Sequence, residues 1–293
     1  MRKIRLFLYP LLGVFLATFI IGSFFDFQIN EALFHNKDTF GLTISVLGTI
    51  PGYAMFAFIG GGALALAIHR EYKVWIKVIF YICAAACLFS SVFFAGREFF
   101  GPNGFEGLTH RWVGYFIVIP VMGAVEFLGY VMCKKSEQQY LWLFLLVMLV
   151  ALIIALVPGV TLFKEIFHRP RFRSVATVGV DYYPWYVRCK DYKEYMEIYS
   201  LAKEEFKSFP SGHAGASIAF PVMAIFLPFI DKKFEKAVLP CYIVGLAWAL
   251  LVMFSRMYVG AHFLSDVSMG AILTTMMMAV ALEVIRGTKK LTI

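Results

Sequence analysis

Charged residues are scarce in this chain. They make up 16% of its 293 residues, whereas hydrophobic residues make up 60%. A water-soluble globule of this composition would have too little polar surface to cover itself, so we expect an integral membrane protein. The sequence also lacks internal repeats, low-complexity tracts and any stretch with the composition of a soluble domain.

Cysteine is sparse as well. Of five cysteines, four lie within or at the ends of apolar runs, namely Cys83, Cys87, Cys133 and Cys241, and Cys189 stands alone in a polar segment. No disulfide framework is therefore expected. Cys83 and Cys87 share one helical face, where such thiols are packing residues far more often than metal ligands. Because no cluster of carboxylates suited to a metal is apparent either, we expect neither a metal nor another cofactor.

Hydrophobic residues concentrate in eight runs of about the length that crosses a bilayer. They predict one all-α, polytopic membrane domain over residues 1–293 with about eight transmembrane helices. The first run is too long for a signal peptide and lacks a small-residue cleavage site, so we expect it to be retained. The second and sixth are short or interrupted by Gly and Pro. The runs lie near residues 4–25, 52–69, 78–96, 113–133, 140–163, 213–230, 237–258 and 262–285.

Lysine and arginine predict the orientation, because short cytoplasmic loops retain them. With eight crossings most cations fall on the side of the two termini, which are therefore predicted to be cytoplasmic. This distribution accounts for much of the formal net charge of +8, so no nucleic-acid partner is expected. The cytoplasmic set is Arg2, Lys3, Arg5, Arg70, Lys73, Lys77, Lys134, Lys135, Lys232, Lys233, Lys236, Arg286, Lys289 and Lys290; the opposite short segments hold mainly Lys37, Arg97 and Arg111.

Three short blocks carry residues suited to phosphate chemistry, which needs neutralised oxygens, an in-line nucleophile and a proton for the leaving group. On the predicted topology all three blocks lie at the outer membrane surface, as a single active site requires. They are KEIFHRPRF with Lys164 and Arg171, FPSGHA with Ser211, Gly212 and His213, and SRMYVGAHFLSD with Arg256, His262 and Asp266.

The cations and the second block form a predicted phosphate site. Lys164 and Arg171 supply charge from the end of the fifth helix, and Arg256 supplies it from the outer end of the seventh. Ser211 and Gly212 precede the sixth helix, where a hydroxyl and backbone N–H groups favour an anion.

His262 and Asp266 are four residues apart at the start of the eighth helix, which puts them on one face. Asp266 is expected to accept a hydrogen bond from one imidazole nitrogen and to leave the other as a lone pair. This is the arrangement of a nucleophile with the group that orients it.

In these three blocks, in this order, the chain resembles the type 2 phosphatidic acid phosphatase (PAP2) superfamily of lipid phosphatases and haloperoxidases, over roughly residues 160 to 285. The resemblance implies that His262 attacks phosphorus to give a phosphohistidine. It implies that His213 protonates the departing alcohol and later activates water, and that no metal is required.

The resemblance also implies a core of six helices. Residues 1–75 would then form two additional helices before a phosphatase core at 76–293, with its motifs at 164–172, 210–213 and 255–266; otherwise the count of eight is wrong. The first motif departs from the family pattern, in which Pro follows the arginine. Here Phe172 follows Arg171, while Pro170 follows Arg169. The gap from Lys164 favours Arg171 as the phosphate ligand.

Each of these residues also has an ordinary explanation. Lys164 and Arg256 are compatible with snorkelling anchors at helix ends, Ser211 with a simple N-cap, and His262 and Asp266 with a helix pair of small energetic value. Membrane anchoring alone, however, does not call for this order of residue types on one face.

The polar segment from about Arg169 to Phe209 is long enough to suggest a function. Aromatic residues at 182–186 and a helical pattern over 191–209 argue against disorder. Two interpretations remain open: a solvated connector with an anchor at the headgroup level, and a lid that admits a lipid headgroup from the outer leaflet.

Three other features rank lower as functional candidates. Glu126, an ionisable group inside the fourth run, is expected to make a structural hydrogen bond to a neighbouring helix. His168 is expected to be a surface residue beside the first motif. Gly60, Gly61 and Gly62 are expected to allow close helix packing.

We therefore expect hydrolysis of a lipid phosphate or diphosphate at the extracytoplasmic face of a bacterial inner membrane, with membrane lipids around the protein. Two alternatives remain. A phosphotransferase would pass the phosphoryl group to an acceptor alcohol, and a non-catalytic binder or transporter would use the cations alone. His213, His262 and Asp266 argue against the binder, because binding needs neither a nucleophile nor an acid. The lipid headgroup and the oligomeric state do not follow from the sequence.

Overall fold

The computed structural model describes residues 2–100 and 112–288, and within these ranges the regular structure is helical, with no strand. The predicted all-α class is confirmed. Twelve α-helices are present in the described part: α1 Arg2–Leu33, α2 Thr39–Gly48, α3 Ile50–His69, α4 Val74–Gly96, α5 Trp112–Cys133, α6 Leu141–Leu156, α7 Pro158–Phe167, α8 Phe172–Val178, α9 Tyr192–Ile198, α10 Gly212–Ala224, α11 Glu235–Tyr258 and α12 Leu264–Gly287.

Seven of the helical stretches in the described residues are long and apolar enough to cross a membrane: α1, α2 with α3, α4, α5, α6 with α7 and α8, α11, and α12. Their outward faces carry large apolar side chains, such as Phe24, Val74 and Phe116, which are more than 70% exposed. This distribution suits hydrocarbon surroundings rather than water. The polytopic membrane fold is therefore confirmed.

The sixth predicted run differs from the expectation. It forms α10, which contains Pro221 and ends at Ala224, followed by a 3₁₀ turn over Leu227–Phe229. Nearly all of α10 is buried inside the bundle, so it is a short central helix that the others surround.

Contacts between loops show how the chain runs through the bundle. At one end, Arg70 donates to the carbonyl oxygen of Ser136, and the Ser136 hydroxyl donates to the carbonyl oxygen of Ile230. Arg5 near the N-terminus pairs with Glu283 near the end of α12. We call the end of the bundle that contains these contacts the far end. α10 runs to it from the opposite end, so all eight predicted runs pass between the two ends.

The second run is longer than predicted. It begins at Thr39, where Asp38 caps α2 by accepting from the backbone N–H of Gly41 at 3.0 Å. α3 continues directly after Thr49, because proline is compatible with the first turn of a helix. Pro51 therefore marks a joint between two helices, not the start of a membrane segment.

The glycines of α3 allow close packing, as expected. A Cβ atom at Gly61 would overlap the backbone of Glu126 in α5, and one at Gly52 would overlap the backbone of Ala216 in α10. α3 thereby lies directly against the central helix and against α5.

The segment of residues 169–209 is folded. It contains α8, α9 and a 3₁₀ turn at Lys203–Phe206, and Cys189 and Phe206 are buried in a small core of its own. Trp185 donates to the hydroxyl of Ser23 in α1 at 2.8 Å, so the aromatic cluster fixes the segment to the bundle. The predicted helix over 191–209 is only partly formed.

Two predictions about the bundle stay predictions. The division at residue 75 is one, although α1 packs along α12 within a shared core. The orientation is the other. Among the cations on which it depends, Arg111, Lys289 and Lys290 lie outside the described residues.

Candidate active site

A polar cavity of about 310 Å³ lies at the end of the bundle opposite the far end. It contains five of the predicted site residues. α7 contributes Lys164, the start of α10 contributes Gly212 and His213, the loop before α8 contributes Arg171, and the turn before α12 contributes His262. The three blocks therefore meet at one place, as predicted.

The imidazole of His262 is held by a backbone carbonyl. Its Nδ1 lies 2.7 Å from the carbonyl oxygen of Ser208, whereas the nearest oxygen of Asp266 is 3.7 Å away. Because a carbonyl oxygen only accepts hydrogen bonds, Nδ1 carries the proton, and Nε2 of the neutral ring has the free lone pair. The sequence predicted one hydrogen-bonded nitrogen and one free lone pair without specifying which nitrogen carries the proton. It assigned the accepting group to Asp266, whereas the carbonyl oxygen of Ser208 is the nearer acceptor.

Asp266 instead belongs to a buried network behind His262. It accepts from Arg169 at 2.5 Å, from the hydroxyl of Ser208 at 2.5 Å and from the backbone N–H of Phe263 at 2.9 Å. These bonds occupy both of its oxygens. Asp266 therefore acts on His262 through Ser208, whose backbone carbonyl holds the ring.

The two arginines of the first block have different environments. Arg169 is fully buried and donates to Asp266, to Asp26 of α1 and to the hydroxyl of Ser265. Arg171 lines the cavity and donates through Nε to the backbone carbonyl of Glu204 at 2.9 Å. The geometry thus favours Arg171 as the residue that faces a phosphate.

Arg256 in α11 is fully buried, and none of its three guanidinium nitrogens has a hydrogen-bond partner among the described residues. A buried cation without a partner is costly. The backbone N–H of His262, which lines the cavity, donates to the carbonyl oxygen of Arg256 at 3.1 Å, so Arg256 lies next to the cavity wall. An anion near this wall would meet its unsatisfied donors.

Ser211 has the structural role that its ordinary explanation predicted. Its hydroxyl accepts from the backbone N–H of Ala214 at 3.3 Å and caps α10. Ser211 is buried and does not line the cavity, whereas Gly212 does. Glycine at this place keeps the start of the helix open to the cavity, close to Lys164.

His213 contacts a carboxylate that the sequence analysis missed. Its Nε2 lies 3.2 Å from an oxygen of Glu98, which follows α4, and both side chains are largely buried. The ring of His213 lies 6.5 Å from the ring of His262, measured between centroids. The two histidines therefore face one cavity, His213 from the start of α10 and His262 from the turn before α12.

The surroundings favour a neutral His262. Burial holds the pKa of this imidazole well below its ordinary value, and the positive charges of Arg171 and Arg256 lower it further against the opposing effect of Asp266. A depressed pKa leaves the lone pair of Nε2 available at neutral pH.

The 169–209 segment contributes charged groups to the cavity. Glu204 and Lys207 line it and pair with each other at 2.7 Å, and Lys207 also lies 3.6 Å from Glu165 of α7. The segment is thus part of the cavity wall, and the lid and the connector both stay predictions.

The lower-ranked candidates lie elsewhere. Glu126 makes no hydrogen bond within the described part of the chain, contrary to expectation, and packs beside Gly60 and Gly61. His168 is buried, not at the surface; it ends α7 with a positive φ of 46° and stacks on Tyr192. Neither residue lines the cavity.

Within residues 2–100 and 112–288, no three His, Cys, Asp or Glu side chains are grouped so that they could hold a metal ion. Metal independence itself stays a prediction.

Four residues that contribute to the site lie outside the three sequence motifs. Glu98, Asp26 and Asn30 come from helices far away in the sequence, and Asn30 donates to the backbone carbonyl of His262 at 3.0 Å. Ser208 acts largely through its backbone. The only sequence signal for the two acids is a carboxylate at the end of an apolar run, which costs free energy unless it is paired.

Comparison with known proteins agrees with this geometry. The family model described as the PAP2 superfamily matches residues 140–289, slightly more than half of the chain. Phosphatidylglycerophosphatase B of Bacillus subtilis is 44% identical over 72 residues, which are 23% of this chain and 34% of that protein. The chain thus spans about a third of the length of that relative. No solved structure matches the chain.

Proposed function

The chain belongs to the PAP2 superfamily, and from that premise we propose that it is a lipid phosphatase that works without a metal through a phosphohistidine. The observation that carries the proposal is the tautomer of His262. Its Nδ1 proton is held by the carbonyl oxygen of Ser208, and its other nitrogen belongs to a ring that lines a cavity with Lys164 and Arg171.

In the first step, Nε2 of His262 attacks phosphorus and the bond from phosphorus to the ester oxygen breaks. Lys164, Arg171 and Arg256 balance the negative charge on the phosphoryl oxygens, which is the main task in this reaction. His213 gives its proton to the departing oxygen, so the alcohol leaves neutral.

In the second step, His213 accepts a proton from water as the water oxygen attacks phosphorus. The bond from phosphorus to Nε2 breaks, inorganic phosphate leaves, and His262 recovers its lone pair. Two easier displacements thus replace one difficult hydrolysis.

A lipid substrate suits the position of the cavity. It opens among helices long and apolar enough to cross a membrane, so the substrate must bring its headgroup to the bilayer surface. A larger cavity of about 540 Å³ lies further along α10 and is lined by apolar side chains such as Phe58, Met148 and Met223. A hydrocarbon tail that runs from the site alongside α10 would meet these apolar side chains.

We place the active site on the extracytoplasmic face of a bacterial inner membrane. Arg70, Lys134, Lys135 and Lys232 lie in short connections at the far end, and such connections carry their cations on the cytoplasmic side. The site lies at the opposite end of the bundle.

The proposal is tested by phosphate release from the purified protein in detergent, with phosphatidic acid, phosphatidylglycerol phosphate and undecaprenyl diphosphate assayed in parallel. Release of inorganic phosphate from at least one of them is expected. Transfer to an added alcohol without release would identify a phosphotransferase. Saturable binding with neither reaction would identify a binding protein and overturn the proposal.

A further inference from the structure

Glu98 is the carboxylate nearest to His213. It lies in a 3₁₀ turn, Arg97–Phe99, that directly follows α4. One of its oxygens lies 3.2 Å from Nε2 of His213, and each side chain is 11% exposed. This turn lies outside the residues matched by the family model, so the family match assigns no role to Glu98.

The other charged groups around His213 are mainly cations. Arg256 of α11 and Lys164 of α7 both act on it electrostatically, and burial acts in the same direction by disfavouring a charged ring. Arg171 and His262 line the same cavity. Left to these neighbours, the imidazole would be held neutral and unable to donate a proton.

The remaining acids of the cavity are engaged elsewhere. Glu204 pairs with Lys207, and Glu165 pairs with Lys203 at 2.8 Å. Arg97, beside Glu98 in sequence, reaches it only at 3.7 Å and is more than half exposed. Tyr53 of α3 also lines the cavity, but as a neutral phenol it adds no negative charge.

We propose that Glu98 is the positioning residue whose negative charge favours the protonated form of His213 for departure of the leaving group. The inference rests on the proposed phosphatase function. The carboxylate lies 3.2 Å from Nε2, so its charge stabilises the imidazolium, which gives a proton to the ester oxygen as the bond from that oxygen to phosphorus breaks. The neutral ring then recovers a proton from the attacking water. Glu98 remains ionised throughout and does not touch the substrate.

The leaving group provides the test. An alkoxide needs the proton from His213, whereas a nitrophenolate leaves readily without it. Glu98→Gln removes the charge but keeps the size, so it should lower turnover of octyl phosphate by roughly 10²-fold, the lower range for general acid catalysis. Turnover of 4-nitrophenyl phosphate should change little. The alkaline limb of the pH profile for octyl phosphate should move to lower pH, because the imidazolium has lost its counter-charge.

Three further variants sharpen the test. Glu98→Asp keeps the charge and should restore most of the activity on octyl phosphate. Glu98→Gln combined with His213→Ala should be no worse than His213→Ala alone, because both changes remove the same proton transfer. Glu283→Gln removes a paired glutamate at the far end and should leave both substrates unaffected.

The outcomes are distinguishable. Equal losses on both substrates, or an unmoved alkaline limb in folded Glu98→Gln, would overturn the role of Glu98. If Glu98→Gln does not fold, folded Glu98→Asp provides the test. A selective loss of octyl phosphate turnover in that variant, with the alkaline limb at its wild-type pH, would overturn the inference. Absence of phosphate release by the wild-type protein would instead refute the proposed function itself.

Discussion

Asp26 of α1 accepts a hydrogen bond from Arg169 at 2.9 Å, and both side chains are buried. Arg169 in turn donates to Asp266, whose other oxygen accepts from Ser208. The first helix is therefore joined by one continuous network to the backbone carbonyl that holds His262. A helix that the sequence assigns to an N-terminal addition thus takes part in positioning His262.

Asp26→Ala should destabilise the protein strongly. It leaves the buried Arg169 with one fewer carboxylate and removes the acceptor for the backbone N–H of Ser265, which donates to Asp26 at 2.9 Å. Removing one partner of a buried ion pair costs about 3–5 kcal/mol. Thermal unfolding of the purified protein in detergent should show a clearly lowered Tm.

The pair between Arg5 and Glu283 is the matched control. Its side chains are 38% and 41% exposed, and pairs of this kind contribute about 0–1 kcal/mol. Glu283→Ala should therefore barely change the Tm. Similar effects of the two substitutions would show that the Asp26 network does not stabilise the fold.

The sequence predicted the helices better than it predicted their ends. Apolar runs identify membrane segments because, in hydrocarbon, a spanning segment must satisfy its own backbone hydrogen bonds, as a helix does. All eight runs are helical. The second run was predicted to be short or interrupted by its glycines. It instead extends from Thr39 to His69, with only Thr49 between α2 and α3, because Pro51 is compatible with the first turn of α3.

The sequence predicted those residues of the cavity whose side chains belong to the three compact motifs. It did not predict the contacts of Asp266. The four-residue spacing predicted that His262 and Asp266 share a helical face, but α12 begins at Leu264, after His262, and a backbone carbonyl is the nearer acceptor. The carbonyl of Ser208 has no signature in the sequence, and Glu98 and Asp26 come from distant helices. Tertiary packing alone brings these groups to the motifs.

His262→Ala should abolish turnover, with a loss of at least about 10³-fold, because removal of a covalent nucleophile leaves only binding and electrostatic effects. The protein should remain folded. Brief incubation with phosphate-labelled substrate should mark the wild type with an acid-labile, base-stable bond and should leave the variant unmarked.

His69→Ala serves as the control for this substitution. His69 ends α3 at the far end, where it contacts the hydroxyl of Tyr130, so its removal should leave the labelling unchanged. Full activity of His262→Ala would refute the phosphohistidine mechanism.

The pH dependence follows from the depressed pKa of His262. The ring is neutral and able to attack at any pH above that pKa, so the acid limb of kcat/KM should lie below about pH 6.5, the ordinary value for histidine. Arg171→Gln removes a positive charge that lowers this pKa and should move the acid limb to higher pH, whatever its effect on substrate binding. An acid limb that stays in place would show that Arg171 does not act on His262.

The same group predicts the pH dependence of stability. Below about pH 6.5 the unfolded chain binds a proton at His262 that the folded protein excludes, so stability contributed by this residue is present above that pH and falls as the pH is lowered. The Tm should therefore fall more steeply between pH 7.5 and pH 5 for the wild type than for His262→Ala.

Activity should persist with excess chelator, because side chains and backbone N–H groups balance the phosphate charge in the proposed mechanism. Vanadate should inhibit, since a trigonal-bipyramidal oxyanion resembles the phosphoryl group in transfer. Phosphate release with and without chelator, and with increasing vanadate, measures both effects. Loss of activity on chelation that magnesium or zinc restores would indicate a metal-dependent enzyme.

The orientation of the bundle requires an introduced probe, because the native thiol in the 169–209 segment does not serve. Cys189 is fully buried, and burial raises its pKa to about 11, so a membrane-impermeant thiol reagent should not modify it. Lys193 on α9 and Lys135 at the far end are both exposed and provide a matched pair of lysine-to-cysteine substitutions. In intact cells the reagent should label Lys193→Cys and spare Lys135→Cys, and permeabilisation should expose the second position. The two introduced cysteines lie at opposite ends of the bundle. Labelling of Lys135→Cys alone in intact cells would therefore place the active site on the cytoplasmic face.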